Sequence, residues 1–434
     1  MCAYACNPTL GSESAVGWNW VLAIARYHDT WVLTDRMNEP AILAGLRQAP
    51  ELATRLHFCY VPHHPWHYDY RRRFWRWAEL SLLRPLVHLS YLHWQRAACT
   101  TARSLLTELS PQLVHQLTLV GFRFPGQLWR LGLPFVWGPI GGLEDTPPAL
   151  LGAMGWRGAL YFGLRNLINA LQRRWLDAPR QAAQGAAALL AATSANAALL
   201  RGCYGVQAQV LCEVTAPPLA VAISLRGPDE PLRLAWSGAH IPGKGLPLLL
   251  QALTGLDGAF DWRLEIYGSG PRSAAWRRQA VRFGLAPRCT WHGQVPRAEA
   301  IGGLRRAHLF VITSLKDLTS TVLLEALSQG LPVLCPDHCG FRDVVTLAAG
   351  IRLPIDRPAV FVAALQAALC RIAADEPGRR QLAAGAQARA GDFDLAAKAE
   401  ALRELYQRVL AVPAIKGRPH RQSGGPDGLV TPHG

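Results

Sequence analysis

The sequence predicts an α/β protein built from two doubly wound domains in tandem. Short apolar strands alternate with helical patterns twice along the chain, first over residues 1 to about 215 and again from Leu232 onwards. Such alternation builds a parallel sheet covered by helices on both faces. The chain has 434 residues, more than one hydrophobic core usually supports. The break between the two series is marked by Pro217, Pro218, Pro228 and Pro231.

The elements are assigned from apolar runs bounded by Gly- or Pro-bearing turns. In the first series, strands are expected at Cys2–Cys6, Asp29–Thr34, Leu56–Val61, Leu113–Val120 and Phe135–Gly138. In the second, they are expected at Leu232–Ser237, Arg263–Tyr267, Thr290–His292, Leu309–Ile312 and Val333–Cys335. We expect domains at 1–215 and 216–395, then a helix, Ala396–Leu410, in a segment 396–412 that returns toward the first domain. Residues 413–434, rich in Pro, Gly and charge, are expected to be disordered.

The composition excludes several classes of protein. Half of the residues are apolar, enough for two buried cores. Arginines interrupt the longest apolar candidate, Leu150–Leu176, so no membrane-spanning helix is expected. The N-terminus has neither a positive nor an apolar signal region, which favours a cytoplasmic protein. The net charge of +15 is spread evenly, so we expect attraction to anionic donors or lipid headgroups and no nucleic-acid partner.

Cysteine usage indicates structural thiols. The ten cysteines are scattered, mostly inside apolar runs. Only Cys335, His338 and Cys339 are close enough in sequence to suggest a metal, and one Cys-x3-Cys pair is weak support for zinc. We therefore expect neither a metal nor another cofactor.

The segment Ser314–Val345 carries the strongest functional pattern, a buried strand, a polar loop and a helix expected from Ser320 to Gly330. A helix N-terminus offers unpaired N–H groups and a partial positive charge, which suit a diphosphate. Further hydroxyl donors stand at Thr319, Ser320 and Thr321. Asp317 and Glu325 lie eight residues apart, so both carboxylates could face one cleft and bind sugar hydroxyls.

This pattern resembles the family 4 group of retaining glycosyltransferases, whose two acidic residues flank seven others before a Gly-x-Pro-Val step. Asp317 takes the place of the usual first Glu, and Glu325 is the second acid. Three preceding segments follow the family order, namely Trp236–Leu253, Glu265–Pro271 and Thr290–Glu299. The resemblance implies GT-B architecture, two Rossmann-like domains facing a cleft, and a nucleotide-sugar donor. It also implies that Glu325 holds the donor ribose and Asp317 the transferred sugar.

The first of these segments normally carries an Arg and a Lys-Gly pair that neutralise the donor pyrophosphate. Lys244 is followed by Gly245, but Ala239 stands where the Arg is expected. His240, Arg272 or the dipole of a helix could supply the missing charge. Backbone near the remaining donor-side candidates, Gly238, Gly268 and Val295, is expected to help bind the nucleotide.

Three places in the first domain are candidates for the sugar and acceptor side. Gly11 and Glu13 lie on a strand-to-helix turn similar to the first loop of these transferases, although a helix capped by Ser12 explains the turn equally well. His115 is a candidate catalytic residue by resemblance to a family His-x-His pattern, and a satisfied core histidine is the alternative. Glu144 follows a Gly-Gly pair after a strand, which suggests a loop lining the cleft on the acceptor side.

Two basic, aromatic stretches, Tyr70–Leu86 and Gly155–Leu176, could contact an anionic membrane peripherally. The alternative, slightly favoured by the pattern, is an amphipathic helix with its apolar face on the core and its arginines in solvent. With the first alternative, the protein would sit on the inner face of the membrane.

The resemblance implies a hexosyl transfer with retention, by front-face departure and attack. Lys244 and the N–H groups near Ser320 would stabilise the leaving diphosphate, without a metal. The acceptor would be a glycan or a lipid-linked hydroxyl in the synthesis of a surface polysaccharide or glycolipid.

Three rival functions remain. A glycogen-type phosphorylase would need a Schiff-base lysine, and none of the four lysines stands in a matching context. A nucleotide-sugar epimerase is disfavoured by the unit from Asp317 to Glu325. A non-catalytic subunit that binds a nucleotide sugar without turnover remains open because of Ala239.

Overall fold

The computed structural model describes residues 1–52, 54–62, 64, 84–220, 222–256 and 258–412. Its chain forms two parallel sheets of seven and six strands, flanked by helices. The α/β prediction of two Rossmann-like sheets is therefore confirmed. The predicted helix at Tyr70–Leu86 falls largely, and the predicted tail at 413–434 entirely, outside the described residues.

The first sheet has the strand order β3-β2-β1-β4-β5-β6-β7. Its strands are β1 Cys2–Ala3, β2 Thr30–Asp35, β3 Leu56–Val61, β4 Val114–Thr118, β5 Phe135–Ile140, β6 Ala188–Ala191 and β7 Gln209–Val210. The helices beside it are α1 Glu13–Ala25, α2 Glu39–Leu46, α3 Arg84–Glu108, α4 Pro148–Leu151, α5 Gly155–Trp175, α6 Asp177–Gly185 and α7 Ser194–Tyr204. The strand order reverses between β1 and β4, where open α/β sheets bind ligands.

The second sheet has the order β10-β9-β8-β11-β12-β13, with the same reversal between β8 and β11. Its strands are β8 Leu232–Ser237, β9 Trp262–Tyr267, β10 Cys289–Gly293, β11 Leu309–Val311, β12 Val333–Pro336 and β13 Gly350–Leu353. Its helices are α8 Leu246–Thr254, α9 Ser273–Arg282, α10 Arg297–Arg306, α11 Thr321–Ser328, α12 Phe341–Val344, α13 Pro358–Ala374 and α14 Glu376–Gly391. The central strands β11 and β12 are buried on both faces, as parallel strands between helices must be, whereas the edge strand β10 is partly exposed.

The first strand is shorter than expected, because side chains take the backbone groups that would extend it. The Ala5 N–H donates to Thr118 Oγ1, and the Tyr4 carbonyl accepts from Asn38 Nδ2. Strands β6, β7 and β13 were not expected. The alanine-rich sequence around β6 lacks the β-branched residues that usually identify a strand.

The last helix, α15 Leu395–Ala411, packs against α1 of the first sheet. Its Leu402, Leu405 and Tyr406 lie in the same apolar cluster as Trp20 and Ile24. Within the described part of the chain, no single helix is long and apolar enough to span a membrane. Helices α13 and α14 pass that test only as a pair, and they are bent by 105°.

Candidate functional site

The carboxyl ends of the two sheets face each other across the boundary between the domains. The loop after β5 meets the loop after β11, where Lys316 Nζ donates to the Glu144 carbonyl at 2.9 Å. A second contact joins α7 to α12, since Ser194 Oγ donates to Asp343 Oδ1 at 2.6 Å. In open α/β sheets, ligands bind at this edge, so the candidate site lies between these loops.

Lys244 and Asp317 form the central ion pair of this edge. Lys244 Nζ lies 2.5 Å from Asp317 Oδ2, and both side chains are largely buried. Thr313 Oγ1 donates to the Lys244 carbonyl at 3.0 Å and accepts from Trp236 Nε1 at 3.0 Å, so the lysine's backbone is tied to the end of β11. The structure therefore brings the predicted lysine and the first predicted acid together.

Backbone contacts hold the loop after β8 close to the loop after β9. The Gly238 N–H donates to the Tyr267 carbonyl, and a Cβ on Gly268 would lie 2.1 Å from the Gly238 carbonyl oxygen. Gly268 itself has φ +106°, which favours glycine. The Gly293 carbonyl, at the end of β10, accepts from the Gly268 N–H. Val295 follows two residues after Gly293 and is half-buried. Tight backbone packing explains the glycines at this edge.

His240 does not supply the charge that Ala239 lacks. Its ring lies among Trp236, Trp276 and Trp291, and burial, followed by the nearby Arg277 charge, lowers its pKa below the usual range. The imidazole is therefore neutral near pH 7. Arg272, half-buried, directly precedes α9 and offers a guanidinium, so it remains the better candidate of the two.

A buried acid, Glu213, lies beside the N-terminus of α11 and was not predicted from the sequence. Ser320 precedes Thr321, the first residue of α11, and the Thr319 N–H donates to Glu213 Oε1 at 3.0 Å. The Thr319 hydroxyl is buried beside the same carboxyl group. Glu213 comes from the connection between the domains, so this acid ties the connection to the loop that carries Asp317.

Glu325 is 8 % exposed and accepts a hydrogen bond from Arg297 Nε at 2.6 Å. The Arg297 side chain is 58 % exposed, so it can leave the carboxylate when a ligand binds there. Arg297 was not singled out from the sequence, although it lies in the family-like segment Thr290–Glu299. Its position at the first turn of α10 is what brings it to Glu325.

Glu144 lies at the domain boundary, as the loop prediction requires. Its Oε1 accepts from Thr193 Oγ1 at 2.8 Å and from Asn196 Nδ2 at 2.6 Å. Glu13 accepts from the Val120 N–H at 2.6 Å, at the reversal point of the first sheet. Burial raises the pKa of Glu13 to about 7, so this carboxyl can exchange a proton near neutral pH.

In the turn before α1, Ser12 is the N-cap residue by position, with φ 55° and ψ −134°, but its side chain makes no capping hydrogen bond. The interpretation of Gly11 as part of a phosphate-binding loop stays a prediction. Gly11 is exposed, and a Cβ added to it would meet nothing within 4 Å. The required glycine is Gly17, where a Cβ would lie 1.9 Å from the Ala5 carbonyl oxygen.

The catalytic assignment of His115 needs correction, because this residue is 1 % exposed near the start of β4. Its Nδ1 pairs with Tyr406 Oη at 2.6 Å, and its Nε2 with the Gly138 carbonyl at 2.8 Å. Burial lowers its pKa to about 4. The core alternative is therefore the one observed, and His115 ties β4 to α15 at the edge of the sheet opposite the site.

Three side chains at the boundary could hold a metal. The ligand atoms of Glu144, His338 and Cys339 all lie within 4.8 Å of one another, the one such group among the described residues. Lys316 already places an ammonium beside Glu144, and burial raises the pKa of the Cys339 thiol above its usual range. Both features oppose a divalent cation. All ten cysteines are free thiols, in line with a structural role.

An Asp-x-Asp sequence, a common metal-binding pattern, is also explained without a metal. Asp394 Oδ1 accepts from the Ala397 N–H as the N-cap of α15. Asp392 pairs with Arg389 at 2.8 Å. These carboxylates serve the junction between α14 and α15.

Replacing Glu213 with glutamine is expected to flatten the dependence of stability on pH. Burial raises the pKa of Glu213 to about 7 from an ordinary 4.5. Because the folded protein favours the protonated form, the contribution of Glu213 to the free energy of unfolding is complete below pH 4.5. About 3 kcal/mol of this free energy is lost as the pH rises through 7. Lys398, which lies near Glu213 and donates to the Cys212 carbonyl, is mostly charged over this range, since burial lowers its pKa to about 8.

Urea unfolding at pH 5 and pH 7.5 measures the effect. Glu213→Gln keeps an oxygen for the Thr319 N–H, so its free energy of unfolding should fall less between the two pH values than that of the wild type. Glu404→Gln, at an exposed position of α15, is the matched control and should follow the wild type. An unchanged slope in Glu213→Gln would mean that another group, such as Glu13, carries the dependence.

One part of the chain is similar in sequence to a known protein family. The sequence model of the family described as glycosyl transferases group 1 matches residues 231–374. No curated protein matches the chain in sequence.

Three solved structures are similar over nearly their whole length. Sucrose-phosphate synthase from Thermosynechococcus elongatus has 15% identity and a TM-score of 0.60, with 94% of this chain and 98% of that one covered. The lipopolysaccharide outer core galactosyltransferase WaaB has 13% identity and a TM-score of 0.57, with the same coverage of 94% and 98%. HepE from Anabaena, in complex with UDP, has 14% identity and a TM-score of 0.55, with 92% and 98% covered.

Proposed function

We propose that the chain is a glycosyltransferase that moves a hexose from a nucleotide-diphosphate sugar to a hydroxyl group, with retention of configuration. The match of residues 231–374 to the glycosyl transferases group 1 model and the GT-B fold of the whole chain support this proposal. The observation that carries this proposal is the Lys244–Asp317 pair at 2.5 Å beside the N-terminus of α11. A cation, a carboxylate and a helix N-terminus at one edge suit a sugar diphosphate.

Each group has a role that its position supports. Lys244 neutralises the charge that develops on the leaving diphosphate, together with the N–H groups at the start of α11. Asp317 binds hydroxyls of the transferred sugar and orients Lys244. Glu325 holds the ribose of the donor, after Arg297 has moved outward.

The transfer step is a front-face substitution. The bond between the anomeric carbon and the diphosphate oxygen breaks, and a bond to the acceptor oxygen forms on the same face. The proton of the acceptor hydroxyl passes to the departing phosphate oxygen. Cationic side chains supply the neutralisation, so we propose a reaction without a metal or other cofactor. Glu144 and Glu13 border the acceptor side.

We place the reaction in the cytoplasm, in the synthesis of a surface polysaccharide or glycolipid, with a glycan or lipid-linked acceptor. The positive charge of +15 and the aromatic, Arg-rich α5 support peripheral contact with an anionic membrane. The second candidate is a non-catalytic subunit that binds the donor without turnover, motivated by Ala239 in place of the expected Arg.

Release of a nucleoside diphosphate from a panel of nucleotide sugars, with bacterial lipid extract as acceptor, tests the proposal. UDP sugars come first, because the similar HepE was solved with UDP. We expect one donor to be turned over, and Glu325→Ala to raise its KM about 10- to 100-fold by loss of a charged hydrogen bond. Glu404→Ala, on the exposed side of α15, is the control. Tight donor binding without release would favour the non-catalytic subunit instead.

A further inference from the structure

Helix α5 presents an apolar stripe to the outside of the protein. Its positions three or four apart fall on one helical face. The exposed side chains on that face are Trp156 (73%), Leu160 (67%), Leu164 (54%), Leu167 (57%), Leu171 (37%) and Trp175 (66%). We call this set the α5 stripe. A continuous apolar surface of this size is unusual on a soluble protein and marks an interaction site.

The opposite face of α5 is turned inward and carries polar side chains beside the partly buried Phe162. Asn166 exchanges two hydrogen bonds with the backbone of Thr146, at 2.9 and 2.7 Å. Asn169 is 1% exposed and donates to the Leu143 carbonyl at 2.9 Å, and Arg173 pairs with Asp145 at 2.6 Å. Because these polar contacts fix the rotation of the helix, its leucines cannot turn toward the core. The slightly favoured prediction of a core-facing apolar side is therefore wrong for this helix.

The positions of the arginines and tryptophans on α5 indicate that a lipid surface covers the α5 stripe. Arg157 and Arg174 are exposed at the two ends of the helix, and tryptophans stand at both ends of the stripe. Tryptophan is the residue most suited to the headgroup level, and arginine attracts anionic headgroups. From Trp156 to Trp175 the helix runs about 29 Å, at 1.5 Å per residue. A helix of this pattern lies in the membrane plane.

We propose that the α5 stripe inserts into the surface of an anionic bilayer and brings a lipid-anchored acceptor to the cleft. The inner side of α5 abuts the loop that carries Lys244, since a Cβ on Gly158 would lie 3.1 Å from Pro242 and one on Gly243 3.2 Å from Phe162. A bilayer on the stripe is therefore separated from the loop that carries Lys244 by about one helix diameter, about 10 Å. This step rests on the proposed transfer function, which it deepens by naming the acceptor class.

Vesicle flotation tests the membrane contact without any nucleotide sugar. We expect the wild-type chain to bind phosphatidylglycerol vesicles at least about tenfold better than phosphatidylcholine vesicles, and less well at high salt. The triple variant Leu160→Gln, Leu164→Gln, Leu167→Gln should lose at least about tenfold in vesicle affinity. The matched control is Leu225→Gln, Val281→Gln, Leu347→Gln, whose residues are 58%, 65% and 80% exposed elsewhere.

Three outcomes would overturn the inference: no vesicle binding by the wild type, equal binding by the stripe variant, or a wild type that is a dimer while the stripe variant is a monomer. The last would show that a second copy of the chain covers the stripe. Equal melting temperatures of wild type and variant establish that the fold is kept. Donor turnover in detergent is measured separately, so an active enzyme that ignores vesicles refutes the membrane contact alone, and a membrane-bound protein without turnover refutes the transfer alone.

Discussion

Replacement of Lys244 with methionine is expected to lower kcat for nucleoside diphosphate release about 100- to 1,000-fold. Among the described residues, the lysine is the cation placed directly on Asp317, at 2.5 Å, and Ala239 stands where a second cation was expected. Loss of one preorganised charge in a largely buried site costs about 3 to 4 kcal/mol of transition-state stabilisation. Methionine keeps the apolar stem, so packing changes little.

A double-mutant cycle with Asp317→Asn separates charge from position. If Asp317 orients Lys244, the two substitutions together should lower kcat by clearly less than the product of their separate effects. Lys244→Arg keeps the charge and should recover part of the rate, although its planar head does not match the lysine's geometry. A Lys244→Met enzyme with the wild-type kcat would remove the lysine from the mechanism.

The donor side could be predicted from the sequence because its pattern is local. A strand, a polar loop and a helix occur within 20 residues, Leu309 to Ser328, so chain connectivity alone brings Asp317 near the start of α11. The need for glycine at two positions has the same local origin, since Gly268 and Gly245 lie where one loop approaches the backbone of another. The partners of these residues were not predictable, because Arg297 and Glu213 reach the site from other elements.

The first domain was harder to predict for a physical reason. His115 was proposed by resemblance to a family His-x-His pattern, and its side-chain partner, Tyr406, lies 291 residues away on the last helix. Helix α5 was judged by the usual rule that apolar faces turn inward, whereas Asn166, Asn169 and Arg173 have partners inside. Periodicity indicates that a helix has two faces. Only tertiary contacts determine which of them is covered.

Gly245→Ala is expected to destabilise the protein by about 4 kcal/mol, the largest effect on stability that we predict. Gly245 has φ +63°, and a Cβ there would lie 2.2 Å from the carbonyl oxygen of Thr313. That atom belongs to the backbone at the end of β11, so it cannot turn away as a side chain would. The loop after β8 must then move, and Lys244 moves with it.

Gly284→Ala separates the two causes of this loss. Gly284 has φ +70°, close to that of Gly245, but a Cβ there meets nothing within 4 Å. Its alanine variant therefore carries only the left-handed backbone strain, about 1 kcal/mol. The difference between the two free energies of unfolding measures the collision alone, because the dihedral cost cancels. Equal values would contradict the close approach of Gly245 to Thr313.

The collision should also appear in catalysis, at temperatures where both variants are folded. Lys244 reaches Asp317 only while its backbone stays tied to Thr313, whose hydroxyl donates to the Lys244 carbonyl at 3.0 Å. Gly245→Ala should therefore lower kcat, whereas Gly284→Ala, on an exposed turn after α9, should leave it unchanged. A destabilised Gly245→Ala enzyme with normal kcat would mean that the loop relaxes without displacing the lysine. The contact between the Lys244 backbone and Thr313 would then not be needed for catalysis.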